Sequence, residues 1–274
     1  MSSQTQLRQA RRGGEKVARS DAFELFARAG FVARGLIYGI IGILAFKLAV
    51  GAGGKAASQQ GALETIAHQP FGQMLLILVA IGLAGYACWR FVRAFLGHGA
   101  EASDSGLDRV TAFASGLVYA ALCAIALKIL LGSDSGSENV HGKTAGVLGW
   151  PGGTWLVGIA GAVLIGVGLY QGYRGISKDF LKDSKTEEMS PTARTWMKWI
   201  GSFGHLARMV VFVLVGVFLV KAALEYSPDS AVGLDGALAK LDHTSYGPFL
   251  LGVVGAGLVA FALYSLCDAR YRRI

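Results

Sequence analysis

Residues 33–49 read ARGLIYGIIGILAFKLA: an arginine, an apolar run studded with glycine, then a lysine. The pattern returns at 114–130 as ASGLVYAALCAIALKIL and at 207–223 as ARMVVFVLVGVFLVKAA. Arg34 and Lys47 are 13 residues apart, about 20 Å along a helix, and each side chain can reach outward by several ångströms more. Such a pair brackets a hydrocarbon core of about 30 Å. The stretch therefore reads as one membrane span, written three times.

Runs of about 20 residues, the length that crosses a bilayer, occur at Phe31 to Val50, Phe71 to Leu96, Val110 to Leu131, Trp155 to Ile176, Phe203 to Leu224 and Phe249 to Cys267. They show no period-two alternation, so a closed barrel of strands is excluded and helices are expected. Composition agrees, with 53% hydrophobic residues, 16% charged and a mean hydropathy of +0.47. The 39 glycines against 5 prolines suit close helix packing in lipid. The first 27 residues are polar and basic, without the apolar segment of a secretory signal.

Charge sets an expected orientation. Under the six-span reading, Lys47, Lys55, Lys128, Lys143, Lys221 and Lys240 fall on one side, and the other 20 of the 26 basic residues share the side of the termini. Acidic residues divide 7 to 11, giving nets of −1 and +9. The positive-inside rule then predicts cytoplasmic termini. Topology and attraction to anionic lipid account for the formal charge of +8, so no nucleic-acid role is called for.

Each pair of spans is one repeat: 28–98, 108–180 and 200–274, after a basic tail at 1–27. First helices align at Arg34/Ser115/Arg208, Tyr38/Tyr119/Phe212 and Lys47/Lys128/Lys221; second helices align at Phe71/Trp155/Phe249 and Tyr86/Tyr170/Tyr264. Three hairpins of equal orientation predict an all-α membrane fold: six transmembrane helices in a pseudo-threefold bundle. This arrangement, with ARAGFVARGLIYGIIGILAFKLA followed by GALETIAHQPFGQMLLILVAIGLAGYACWR, resembles the bacterial family known as domain of unknown function 1206. Ser115 replaces the arginine in repeat two, and Met209 stands where repeat three would carry a glycine. The resemblance implies a bacterial inner (cytoplasmic) membrane protein and brings no chemistry with it.

Lys47, Lys128 and Lys221 read first as interfacial anchors, and alternatively as a charged ring at the outer mouth of a central axis. Tyr86, Tyr170 and Tyr264 read as an aromatic belt, or as repeated hydroxyls that bond between repeats or to a lipid headgroup. Arg90 and Arg174, four residues beyond two of them, share a helical face and would suit a phosphate. His68, His141 and His243, each near a carboxylate, could bind zinc or a similar ion if they converged on an axis; they lie out of register, so solvated histidines are expected, with no metal and no cofactor. Cys88, Cys123 and Cys267 read as packing thiols. GALETIAHQP and GLDGALAKLDH read as short helices on the outer surface.

No span carries Asp or Glu at its middle, and no nucleophile and base pair or phosphate-binding loop is visible. Small-residue pairs are plentiful: Gly35 with Gly39, Gly158 with Ala162, Gly168 with Gly172, Gly252 with Ala256. The expectation is a non-enzymatic accessory or scaffold subunit that binds partner helices, a second copy of itself, or membrane lipids with anionic headgroups. The alternative is a small channel or transporter for anions or polar solutes along the pseudo-threefold axis.

Overall fold

The computed structural model describes residues 21–52, 57–96, 106–132, 140–227, 230, 234–242 and 246–273. The tail through residue 20, Lys55, Glu138 and His243 lie outside them, as do the side chains of His141 and Lys143. Nine α-helices are found among the described residues: α1 (Asp21–Ala49), α2 (Gln59–Ala67), α3 (Gly72–Leu96), α4 (Gly106–Leu130), α5 (Val140–Leu148), α6 (Gly153–Ser177), α7 (Pro191–Leu224), α8 (Leu234–Asp242) and α9 (Gly247–Tyr271). Six of them, α1, α3, α4, α6, α7 and α9, are long and apolar enough to cross a membrane.

Two spans, α1 and α7, start ten or more residues earlier than hydropathy suggests. α1 begins at Asp21, so the last residues assigned to the basic tail are helical. α7 begins at Pro191 because Ser190 caps it, its hydroxyl accepting from the Ala193 amide, and proline at the first position needs no donor. The two short outer helices expected from sequence are α2 and α8, and α5 occupies the matching place in the middle repeat. α2 starts at Ser58, whose hydroxyl accepts from the Gly61 amide.

The packing order makes a ring with one gap. α3 lies on α4 and on α1, α1 on α9, α9 on α7, and α7 on α6, while α4 and α6 do not pack on one another. The middle hairpin is thus held by its neighbours and not by itself. Its first helix leans on the preceding repeat and its second on the following one.

Glycine position explains both the closed seams and the gap. Gly42 of α1 faces Gly255 of α9, and Gly161 of α6 faces Gly216 of α7; a Cβ on Gly42 or Gly161 would come within 2.7 Å of the opposing carbonyl oxygen. Backbones touch there, as small residues allow in lipid. Within hairpins, a Cβ on Gly30 would stand 2.5 Å from Tyr86 Cβ, and one on Gly204 would stand 2.6 Å from Phe261 Cα. The offsets of 81 and 174 place Thr111 at the equivalent position of α4. A β-branched residue cannot permit that approach, and the helices of the middle hairpin stand apart.

A segment between α6 and α7 closes the end that carries the termini. Phe180, in a short 3-10 turn (Asp179–Leu181), is fully buried and stacks on His205 at 4.9 Å. The Lys185 amide donates to the Tyr271 carbonyl at 2.7 Å and the Arg273 amide to Asp183 at 3.0 Å, pinning the carboxyl end beneath the bundle.

Candidate functional site

Two arginines at equivalent positions, Arg34 and Arg208, have opposite circumstances. Arg34 is 6% exposed and does not snorkel to the interface; this corrects its reading as a boundary anchor. Its Nε donates to Ser265 Oγ at 3.1 Å, Nη1 to the Tyr86 hydroxyl at 2.7 Å and Nη2 to Asp268 Oδ2 at 2.9 Å. The guanidinium also lies over Phe31, Tyr86 and Phe261 at 4.8, 5.2 and 5.2 Å. Asp268 is fully buried, one residue past the end of the span read from hydropathy.

The network continues outward with alternating charge. Arg272 reaches Asp268 at 3.6 Å and Asp183 at 3.0 Å, and Asp183 also holds Arg174. Arg34, Asp268, Arg272, Asp183 and Arg174 form one chain from α1 to α6. Charges taken out of water are tolerated when each finds a partner of opposite sign and good geometry.

Carrying the tyrosine alignment along the second helices explains what differs at Arg208. One residue beyond Tyr86, Tyr170 and Tyr264 stand Ala87, Gln171 and Ser265; four beyond stand Arg90, Arg174 and Asp268. Each first helix packs on the second helix of the preceding repeat, so Arg34 meets Ser265 and Asp268, and Arg208 meets Gln171 and the Arg174 position. With its amide oxygen turned inward, Gln171 accepts from both terminal nitrogens of Arg208 at 2.9 and 3.0 Å. Aromatic faces surround Arg208 as they do Arg34: Phe261 at 4.5 Å, Phe212 at 5.0 Å and Tyr38 at 5.3 Å. Among the described residues it has no carboxylate partner.

Arg208 opens onto the gap between α4 and α6. A cleft of about 350 Å³ lies there, with Val118 and Leu122 of α4 on one wall, Val163 and Leu164 of α6 on the other, and Val211 and Val215 of α7 at its back. Its polar end holds Arg90, Thr111, Gln171 and Arg208. A smaller hollow of about 40 Å³ adjoins it, lined by Arg93, Tyr170 and Arg174 besides Arg90, Thr111 and Gln171. Among the described residues, neither lining contains a carboxylate. The cleft is an apolar slot, open sideways, with a basic end toward the termini.

The structure divides the residues singled out from sequence. Lys47, Lys128 and Lys221 are exposed in the last turns of their helices and do not line the cleft; Lys221 stands 3.7 Å from Glu225. Tyr86 and Tyr264 are 2% exposed, which corrects their reading as a belt, and Tyr170 is 36% exposed. The Tyr86 hydroxyl bonds within its own repeat, to Arg34. Arg90 and Arg174 do meet, at the smaller hollow. His68 is exposed. Cys88 is exposed rather than packed, and Cys123 and Cys267 are half-buried. Of the small-residue pairs, Gly35, Gly168 and Gly172 sit at tight helix contacts, Gly168 and Gly172 making room for Met209; Gly158 and Gly252 have space around them. Asp268, Ser265, Gln171, Thr111 and Arg208 were missed as site residues. The signal that finds them is the tyrosine register read one and four residues further.

The fold and its site define a class: a multi-pass membrane protein built from three two-helix repeats around a laterally open bundle. The chain belongs to the family described as Domain of Unknown Function (DUF1206), which matches it three times, at residues 29–97, 110–178 and 203–272. It is 34% identical to the Uncharacterized protein YxxB of Bacillus subtilis (strain 168) over 253 residues, 91% of each chain. No solved structure matches it.

Proposed function

We propose that the protein is a non-enzymatic accessory or scaffold component of a bacterial inner membrane, with cytoplasmic termini, and that it takes one lipid chain into the cleft between α4 and α6. The cleft carries the reading. Other neighbouring spans around the ring pack against each other, and the one place where they part is walled by Val118, Leu122, Val163 and Leu164. Ligand sites have volumes of about 300–1,000 Å³ and an apolar lining with few polar groups, and they recur between bundle helices. The excess of basic residues on the side of the termini supports the orientation.

The channel alternative finds less support. The exposed lysines do not line the cleft, and buried Ile37, Ile41, Leu83, Leu258 and Phe261 belong to one continuous apolar core.

Native mass spectrometry of the full chain, extracted in mild detergent without added lipid, tests the proposal. One lipid per chain is expected, and Leu164→Trp, which fills the cleft, should lower its occupancy severalfold. Equal occupancy in both proteins, or none in the wild type, overturns the reading.

A further inference from the structure

Apolar walls place a chain without selecting it. Lipid tails are as apolar as leucine, so moving an acyl chain from bilayer to cleft gains little, and selectivity must come from the polar end. Resting on the lipid reading above, we infer that the occupant is an anionic phospholipid, drawn from the leaflet on the side of the termini. Its phosphate takes the place beside Arg208 that the Asp268 carboxylate takes beside Arg34.

The internal repeat supplies the comparison. At the seam between α1 and α9 the chain brings its own anion: Arg34 bonds to Ser265 and Asp268. At the seam between α6 and α7 the corresponding bonds come from Gln171 alone, and the Asp268 position is held by Arg174. Arg174 is already engaged by Asp183, which it shares with Arg272. Both seams keep the arginine and its aromatic cage; only one keeps the carboxylate.

The seam between α6 and α7 also borders the gap, which gives it access. Arg208 and Gln171 line the cleft, with Arg90 and Thr111 beside them, whereas Arg34 does not. Within a membrane, a charged side chain turned toward a cavity marks a ligand path or site, since it is costly to place there. Several arginines around one hollow suit a phosphate, whose oxygens accept in several directions and fit the guanidinium fork. With arginines and, among the described residues, no carboxylate in either lining, a lipid of net negative charge is preferred over one that carries its own cation.

The test is lipid titration of the full-length, delipidated protein in detergent, read by native mass spectrometry. The probes are phosphatidylglycerol, phosphatidylcholine and inorganic phosphate. Phosphatidylglycerol should bind one per chain, about tenfold more tightly than phosphatidylcholine, whose phosphate is the same but whose choline cation would stand against the arginines. Gln171→Glu builds in the missing carboxylate at hydrogen-bond distance from Arg208 and should bring the two lipids within about threefold of each other. Arg208→Gln should do the same, and should Arg208→Gln not fold, the near-isosteric Gln171→Glu carries the test. Equal binding of both lipids to the wild type overturns the headgroup inference and leaves the cleft reading standing. No binding of either lipid overturns both. Saturation by inorganic phosphate with no lipid bound shows a free-anion site and also overturns the inference.

Discussion

Arg34→Gln should cost far more stability than Arg208→Gln, although the two arginines occupy equivalent positions. Removing the Arg34 guanidinium deletes three hydrogen bonds, to Ser265, Tyr86 and Asp268. Ser265 keeps its bond to the Phe261 carbonyl at 2.8 Å, so its loss is small. Asp268, fully buried, is left with Arg272 at 3.6 Å as its counter-charge, and among the described residues its Oδ1 has no hydrogen-bond partner. Breaking a buried pair from one side costs about 3–5 kcal/mol because the other charge stays buried. Arg208 is half-buried and loses its bonds to a neutral amide and its aromatic contacts, about 1.5–2 kcal/mol, and leaves no buried counter-charge behind.

Thermal unfolding in detergent, followed by intrinsic fluorescence, reads the difference. Arg34→Gln should lower Tm by roughly 6 to 20 °C, at 2–4 °C per kcal/mol for a chain of this size. Asp268→Asn should be similarly harmful, and the double variant should be less destabilised than the sum of the singles by about 2 kcal/mol, since neither leaves the other's charge unmatched. Equal effects of Arg34→Gln and Arg208→Gln, or additivity of the Arg34 and Asp268 singles, would refute the account of one self-neutralised seam and one open one.

Gly161→Ala sets a methyl 2.7 Å from the Gly216 carbonyl and should cost about 1–3 kcal/mol, while Gly158→Ala, whose Cβ stands 3.5 Å from Ala223, should leave Tm unchanged. Phe180→Ala removes a fully buried ring from His205 and Tyr264 and should cost about 3–5 kcal/mol by the same assay. Thr111→Gly removes the side chain that keeps α4 from α6; the lipid stoichiometry read by native mass spectrometry should fall as the cleft narrows. The Glu187 carboxyl is held below its ordinary value of 4.5 by its own backbone amide and then by Arg273, at 2.8 and 3.0 Å. A lowered folded pKa means its contribution is complete above 4.5 and fades as pH falls through the lower value, so protection of the Arg273 amide should drop there in the wild type and not in Glu187→Gln.

Span number, repeat and two of the three short helices were legible in the sequence because they depend on hydropathy and period alone, as the runs from Phe31 and Phe203 illustrate. What escaped depends on which way a side chain turns. Thirteen residues between Arg34 and Lys47 fit two snorkelling anchors, and only Lys47 behaves as one, being exposed, while Arg34 turns inward to a carboxylate 234 positions away. Asp268 follows the last apolar residue of its span, a place that hydropathy does not distinguish from solvent. Tyr86 and Tyr264 sit at belt depth in the chain but face the core: a Cβ on Gly30 would stand 2.5 Å from Tyr86 Cβ, and one on Gly201 would stand 3.1 Å from the Tyr264 ring. The gap was hidden for a different reason: a hairpin repeat suggests helices that pack on each other, and a single threonine in place of glycine carries little weight in a hydropathy profile.

That threonine joins the two departures of the middle seam. Thr111 occupies the position where Gly30 and Gly204 draw their hairpins shut, and it lines both the cleft and the basic hollow beside it. Were the gap present with an aspartate at position 174, Arg208 would be satisfied internally and the slot would offer lipid tails nothing to distinguish one headgroup from another. Were Arg174 present with the hairpin closed, Arg208 would be sealed in the bilayer beside a neutral amide, since Arg174 already shares Asp183 with Arg272, and a buried charge without a counter-charge is costly. Spacing and charge are therefore tolerable only together: the separation that Thr111 imposes admits an external anion, and the charge that Arg208 retains requires one.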